Sequence, residues 1–430
     1  MLPHIVPLLQ SAPPATAGVP PQSFGAWLVA TLVKMLVVFT VYMIGVALLT
    51  LAERKISAWI QGRLGPNRVG PGGLLQPAAD GLKNIMKEET YPELAYMPLF
   101  VLAPAMAFIP ALITWAVIPF GAPWDSPWGR IDMALAPLPV GFLYILAISS
   151  LGVYGIVLAG WASNNKYSLL GGLRSSAQMV SYEISMGMST IPVLLLAGNV
   201  ALDDVIAQQA AMGWNVLTLT LAFFIFMIAA FAETNRLPFD LPEAESELIA
   251  GYHSEYSAMK FSFFFIAEYA NMVTASALMS VLFFGGWDIP FFSWDNSAPH
   301  TGVKTVATAL VFLMKILFFI FVFMWIRWTL PRFRYDQLMA LGWKILLPLA
   351  LSYIVLIAGV VLALDAAQVP RGWQFGAALF GVNVVVMLLV ALWLDRGRVI
   401  SPATTRAGRR ELDRLRVRPE RHSAPAEVGD

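Results

Sequence analysis

The chain has 430 residues, of which 58% are hydrophobic and only 13% charged, and its mean hydropathy is +0.68. Soluble chains carry about 25% charged residues, so a large water-soluble domain is a poor reading, and a net charge of +1 points to no nucleic-acid partner. With no cysteine, the chain has no disulfide, no thiolate zinc site and no cysteine-ligated iron–sulfur cluster of its own. The four histidines, His4, His253, His300 and His422, lack metal-ligand spacing, and there is neither a GxGxxG after a strand nor a GxxxxGK[ST]. Residue content therefore gives no reason to expect a metal, a nucleotide or a redox centre held by this chain.

Residues 1–24 are rich in Pro, Ala and Ser and contain no Lys or Arg. They lack the basic start of a secretory signal and read as an irregular N-terminal arm. Nine hydrophobic segments follow, near 26–52, 97–120, 137–161, 175–198, 214–232, 259–284, 303–327, 344–364 and 374–394. Each is close to the roughly 20 residues with which an apolar helix crosses a bilayer. Open strands cannot satisfy their backbone in lipid, so the expected fold is all-α: a multi-pass transmembrane bundle of about nine spans with large cytoplasmic loops. Pro98, Pro104, Pro110 and Pro119 predict kinks in the second span. The fourth is the least regular, becoming continuously apolar only after Met186.

Loop charge orients the bundle. With the N-terminus outside and the tail from Asp395 inside, 23 Lys and Arg fall with inner loops and 3 with outer ones, leaving Lys34 and Lys315 within spans. That bias follows the positive-inside rule and survives omission of the tail, at 14 to 3. No internal repeat is visible, and no inverted pair of broken helices such as secondary transporters use.

In the first inner loop, Ala58, Trp59, Ile60 and Leu64 alternate with Arg54, Lys55, Gln61 and Arg63, the pattern of a short helix lying in the membrane interface. GPNRVGPGG is turn chemistry. Ala78, Leu82, Ile85 and Met86 then share one helical face, with Asp80, Lys83, Asn84 and Lys87 on the other. Two readings fit: a basic loop touching anionic headgroups, or a docking surface or pore mouth.

The stretch from Glu233 to Tyr269 is the most unusual. It holds Glu233, Asp240, Glu243, Glu245, Glu247, Glu255 and Glu268 against Arg236 and Lys260, beside and within membrane spans. Carboxylates there are costly unless used. Pro242 can open a short helix at EAESEL, which puts Glu243 and Glu247 on one face. Glu183 lies inside the fourth span and Glu268 inside the sixth, where Lys34 and Lys315 are the only bases within spans to neutralise them. Acids left without a base take up protons, and protonated acids with water form a relay. The opposing readings are a solvated charged face for the loop and structural hydrogen bonding for the two intramembrane acids. Arg327, Arg332 and Arg334 cluster near the end of the seventh span, where ordinary positive-inside anchoring also accounts for them.

Four stretches resemble one family. AERKISAWIQGRLGPNRVGPGGLLQPAADGLKNIMKEE is similar to the first inner loop of the H membrane subunit of respiratory complex I, the proton-pumping NADH:quinone oxidoreductase. ETNRLPFDLPEAESELIAGYHSEYSAMKFSFFFIAEYAN resembles that family's signature loop and following helix, and AQMVSYEIS and WIRWTLPRFRYDQLMALGWK match as well. These cover about 110 residues, and helix order agrees from Trp27 to Leu364. A ninth span and an Arg-rich tail depart from the common eight-helix pattern. The resulting organisation is an arm (1–24), an eight-helix core (25–365), an extra helix (366–394) and a basic cytoplasmic tail (395–430).

The resemblance implies a component of the inner cell membrane that forms part of a quinone-binding chamber. It also implies a glutamate-lined path coupling quinone reduction to proton pumping. By motif match the path comprises Glu183, Glu233, Asp240, Glu243, Glu245, Glu247 and Glu268, with Glu255 on the chamber side. Arg54, Arg327, Arg332 and Arg334 would line or border the quinone cavity. Trp59, Phe261, Phe263, Phe264 and Phe265 suit an apolar slot for the quinone tail, and they suit a lipid-facing surface equally well. NADH, flavin and iron–sulfur clusters would belong to partner chains: soluble quinone-site and iron–sulfur subunits, beside neighbouring small membrane subunits and lipid. The alternatives are the equivalent subunit of an energy-converting hydrogenase or related dehydrogenase, and a stand-alone ion transporter.

Overall fold

The computed structural model describes residues 24–241, 249–289, 292 and 294–395. The expected N-terminal arm, the basic tail beyond Asp395, and Glu243, Glu245 and Glu247 lie outside the described residues. Helix dominates what is described. The sheet there is one antiparallel hairpin of β1 (Trp124–Ser126) and β2 (Gly129–Ile131).

The first helix, α1 (Phe24–Ile60), has 37 residues. At 1.5 Å per residue it is about 55 Å long, well beyond the roughly 30 Å of a bilayer core. The segment expected to form a separate interfacial helix around Ala58 is instead the end of α1. The reason is visible in the chain: neither Gly nor Pro occurs between Gly45 and Gly62. Gly62 then stops the helix at φ 66°, with its N–H on the Trp59 carbonyl and the Arg63 N–H on that of Ala58.

The amphipathic helix predicted next is α2 (Gln76–Met86). Its polar face turns toward the chain: Asn84 donates to the Ser262 hydroxyl at 2.8 Å, and Asp80 pairs with Arg54. Leu82, Ile85 and Met86 face away and are exposed.

The following elements are α3 (Met97–Ile113), α4 (Gly141–Ala162), α5 (Lys166–Ala197), α6 (Leu202–Met212), α7 (Asn215–Thr218), α8 (Thr220–Glu233), α9 (Ala258–Phe283), α10 (Gly302–Thr329), α11 (Tyr335–Ala366) and α12 (Trp373–Asp395). Among the described residues, eight helices are long and apolar enough to cross a membrane. The remaining predicted span, near 214–232, is helical but divided. Leu219, at φ −131° and ψ 43°, separates α7 from the 14-residue α8. The Thr220 hydroxyl donates to the Val216 carbonyl at 2.7 Å, the local competition by which Thr disturbs a helix.

Close packing of α3, α4 and α5 depends on small residues, as in membrane bundles generally. A Cβ added at Gly155 would lie 2.7 Å from the Ala107 nitrogen, so α4 meets α3 backbone to backbone there. Helix α9 is the most enclosed span and packs on α1, α3, α8 and α10.

The loops gather at two ends. At one, the Tyr96 N–H bonds the Ala162 carbonyl, Thr90 bonds the Ser257 hydroxyl, and Arg332 meets Asp240. At the other, Lys34 donates to the Asp132 and Ala134 carbonyls, Gln209 to that of Val281, and the Asp125 N–H to that of His300. These two sets of loops are the ones that charge bias separates in the sequence.

Candidate functional site

The site forms where α8 ends. Past Glu233 the chain reverses tightly. Asn235 takes a left-handed conformation at φ 49°, and the Arg236 N–H reaches back to the Phe231 carbonyl. Helix α5 clamps this turn from a buried position. The Gln178 amide donates to the carbonyls of Ala232 (2.8 Å) and Phe239 (2.9 Å), and Asn235 donates to the Ser175 hydroxyl. The clamp turns Arg236 inward, where it is buried.

Arg236 joins two helices. Its Nη1 lies 2.9 Å from Oε1 and 3.0 Å from Oε2 of Glu53 on α1. Its Nε lies 2.6 Å from Oε1 of Glu268 on α9. Its guanidinium also sits over the Tyr269 ring, 4.4 Å from the centroid. The Tyr269 hydroxyl donates to Glu53 at 2.6 Å, and Arg327 from α10 pairs with the same carboxylate. Two carboxylates thus meet two guanidiniums, and the fully ionised cluster is electroneutral. Glu53 and Arg236 are each only 7% exposed at the side chain. Removing either partner would leave the buried cluster with one uncompensated charge.

Three cavities adjoin the cluster. A cleft of about 1000 Å³ lies between α1, α2, α9 and α10, walled by Glu53, Arg54, Phe261, Phe265 and Arg327. A second, of about 790 Å³, is bounded by Arg236, Asp240, His253, Glu268, Arg327 and Arg332. Phe261, Phe265 and Arg327 line both clefts. A small cavity of about 30 Å³ lies deeper, walled by Glu233, Thr234, Glu268 and Asn271 among others. It has room for about one water. His253, outside the spans, packs against the rings of Tyr252 and Phe261 at 5.0 and 5.3 Å. Burial lowers its pKa to about 4, so it is neutral at pH 7.

The predicted residues divide as follows. Glu268 and Arg327 belong to the cluster itself. Asp240 pairs with Arg332 at 3.3 Å on the wall of the second cleft. Arg54 pairs with Asp80 at 2.6 Å on the wall of the first. Glu233 faces the small cavity, and Glu183, on the neighbouring α5, is near enough for the two charges to interact. Glu255 lies elsewhere: it accepts from Asn165 at 2.6 Å beside a separate cleft with Lys166. Arg334 is exposed and lines none of these cavities. Of the aromatics, Phe261 and Phe265 line the clefts. Phe264 is in the core, Phe263 packs on Phe108, and Trp59 is 74% exposed.

One expectation changes, and one further residue joins the site. The bases available to the intramembrane acids are not Lys34 and Lys315, which donate instead to backbone carbonyls at the other end of the bundle. The base that meets Glu268 is Arg236, which reads as a loop residue until the Gln178 clamp is placed beside it. Glu53 is inconspicuous in the sequence, beside Arg54. One signal could have found it, since Val46, Leu49, Glu53 and Ser57 recur at helical spacing and are all buried, whereas Arg54 is one step, about 100°, round the helix.

Residues 33–358 match the model of a family described as NADH dehydrogenase. The chain is 50% identical over 325 residues to the NADH-quinone oxidoreductase H subunit 1 of Cytophaga hutchinsonii, covering 76% of this chain and 94% of that relative. It is 50% identical over 342 residues to the NADH-quinone oxidoreductase H subunit of Leptospira biflexa, covering 76% and 93%. It is 49% identical over 343 residues to NADH-ubiquinone oxidoreductase chain 1 of Chondrus crispus, covering 79% and 99%. The family match takes in Glu53, Arg236, Glu268, Tyr269 and Arg327 together with the clefts around them, and at this extent it shows that the chain belongs to the NADH dehydrogenase family.

Proposed function

We propose that this chain is the H-type membrane subunit of an NADH-quinone oxidoreductase and that its charged cluster couples quinone reduction to proton movement. The two clefts, completed by soluble partner subunits, would form the chain's share of the quinone chamber. Phe261 and Phe265 supply apolar walls, and Arg332 and Arg327 supply hydrogen-bond donors for a headgroup. NADH oxidation, flavin and iron–sulfur transfer fall to partner chains, since a chain without cysteine has no thiolate for a cluster. The end carrying Arg236, Arg327 and Arg332 would be cytoplasmic and the N-terminus outside, from the loop-charge bias. The division into an eight-helix core and an added helix belongs to the same proposal.

One observation carries the coupling. Glu268 lines both the second cleft and the small cavity that it shares with Glu233. A carboxylate in that position can receive a proton on the cleft side and pass it through one water to Glu233, and Glu183 on α5 would continue the path. Arg236 ties Glu268 to Glu53, so a change of charge in the chamber acts on Glu268 through a buried cluster, where screening by solvent is weak. The test is Glu268→Gln in the assembled complex. NADH oxidation by a water-soluble acceptor should persist while proton uptake linked to quinone reduction falls. Full proton pumping in that variant would remove Glu268 from the path.

A further inference from the structure

The last helix, α12, begins beyond residue 358, where the family match ends. It nevertheless docks into the bundle along one stripe. Phe375, Leu379 and Asn383 are all 1% exposed or less. A Cβ added at Gly376 would lie 2.3 Å from the Met212 carbonyl oxygen, so α12 meets the end of α6 where only glycine fits. Gly376, Leu379 and Asn383 recur at the three- and four-residue spacing of a single helix face.

Asn383 is the polar point on that apolar stripe, and it meets the interruption between α7 and α8. Its amide donates to the Leu217 carbonyl at 3.0 Å and to the Thr220 hydroxyl at 2.7 Å. Its oxygen accepts from the Tyr353 hydroxyl of α11 at 3.2 Å. Thr220 passes its own hydrogen to the Val216 carbonyl. In an unbroken helix the Val216 and Leu217 carbonyls would meet the N–H groups of Thr220 and Leu221. Leu219 leaves helical geometry there. Within a membrane a carbonyl so freed needs a protein partner.

We infer that α12 is an intramolecular brace for the interrupted α7–α8 segment, and that Asn383 is a positioning residue that holds α8 in the register presenting Glu233 to its cavity. The contacts carry the brace by themselves. The consequence for Glu233 rests on the proposed proton path.

The experiment uses the whole complex carrying Asn383→Leu, with Asn383→Gln as the variant that retains an amide. Hydrogen exchange of the backbone amides in residues 216–223 should quicken roughly tenfold in Asn383→Leu, the order set by one buried hydrogen bond, and should recover in Asn383→Gln. NADH oxidation by a water-soluble acceptor should be unchanged, while the proton yield per NADH oxidised by quinone falls in the Leu variant and returns in the Gln variant. Unchanged exchange over 216–223 in Asn383→Leu overturns the brace. Faster exchange with an undiminished proton yield keeps the brace and overturns the positioning of Glu233, whatever Glu268→Gln does. If the Leu variant does not assemble, Tyr353→Phe removes only the hydroxyl that Asn383 accepts from. A smaller rise in exchange over the same residues then supports the brace, and no rise refutes it.

Discussion

Arg236 and Glu53 are 183 residues apart in the chain, and their side chains meet at 2.9 Å in the interior. Glu53 is the point at which α1, the turn after α8, α9 and α10 converge, because Arg236, Tyr269 and Arg327 all reach its carboxylate. Glu53→Gln leaves Arg327 facing a neutral amide and Arg236 with one carboxylate fewer. Breaking a buried pair from one side costs about 3–5 kcal/mol. The assembled complex should therefore dissociate at a lower temperature and lose quinone reduction. Tyr269→Phe removes one hydrogen bond to a charged group, should cost less, about 1.5–3 kcal/mol, and should leave activity near normal. Thermal dissociation of the complex, followed for both variants, checks the contrast, and equal stability of Glu53→Gln and the parent contradicts it.

Glu233→Gln and Glu183→Gln keep the size of each side chain and remove its ability to exchange a proton. Assembly should survive in both, because neither residue belongs to the Glu53 cluster, while quinone-linked proton uptake falls. Normal NADH-driven pumping by membrane vesicles carrying either variant would take that residue out of the path.

Arg332 and Arg334 are neighbours in sequence with different surroundings. Both are exposed, but Arg332 borders the second cleft and pairs with Asp240, whereas Arg334 lines neither cleft. Arg332→Ala should raise the apparent KM for quinone about tenfold, the worth of one hydrogen bond to a charged group. Arg334→Ala should change it by less than about twofold, as for most exposed charges. Steady-state quinone titration of the two variants decides the matter, and equal KM values would separate Arg332 from the chamber.

His253 gives a pH dependence of definite sign. Burial lowers its pKa to about 4 from 6.5. Between those values the unfolded chain holds the imidazole proton and the folded chain does not. Stability from this group is therefore undiminished above pH 6.5 and is lost as pH falls toward 4. The parent complex should lose thermal stability relative to His253→Gln as pH drops through this window, and the difference should be flat above it. A flat difference throughout would mean that the imidazole is not buried as a neutral group.

Much of the fold was legible from the chain because lipid leaves the backbone few options. Runs of about 20 apolar residues must be helical, and Lys and Arg collect on one side. Helix ends were less legible. The interface helix expected near Ala58 merged into α1 because no breaker intervenes, and the span near 214–232 divided at Leu219, flanked by Thr218 and Thr220, through hydroxyl bonding that hydropathy does not register.

By itself the sequence determined membrane insertion, helix order, a surplus of acid after Glu233 and the family resemblance, because these depend on local composition and contiguous motifs. Tertiary structure alone decided which charges meet. Arg236 is a loop residue by position and becomes the partner of Glu268 and Glu53 only because Gln178, on another helix, folds its turn inward. Glu53 lies beside Arg54 in the chain, yet one helical step sends the first into the cluster and leaves the second at the rim. Pairing of buried charges depends on distances between helices, and neither composition nor spacing along the chain encodes those distances.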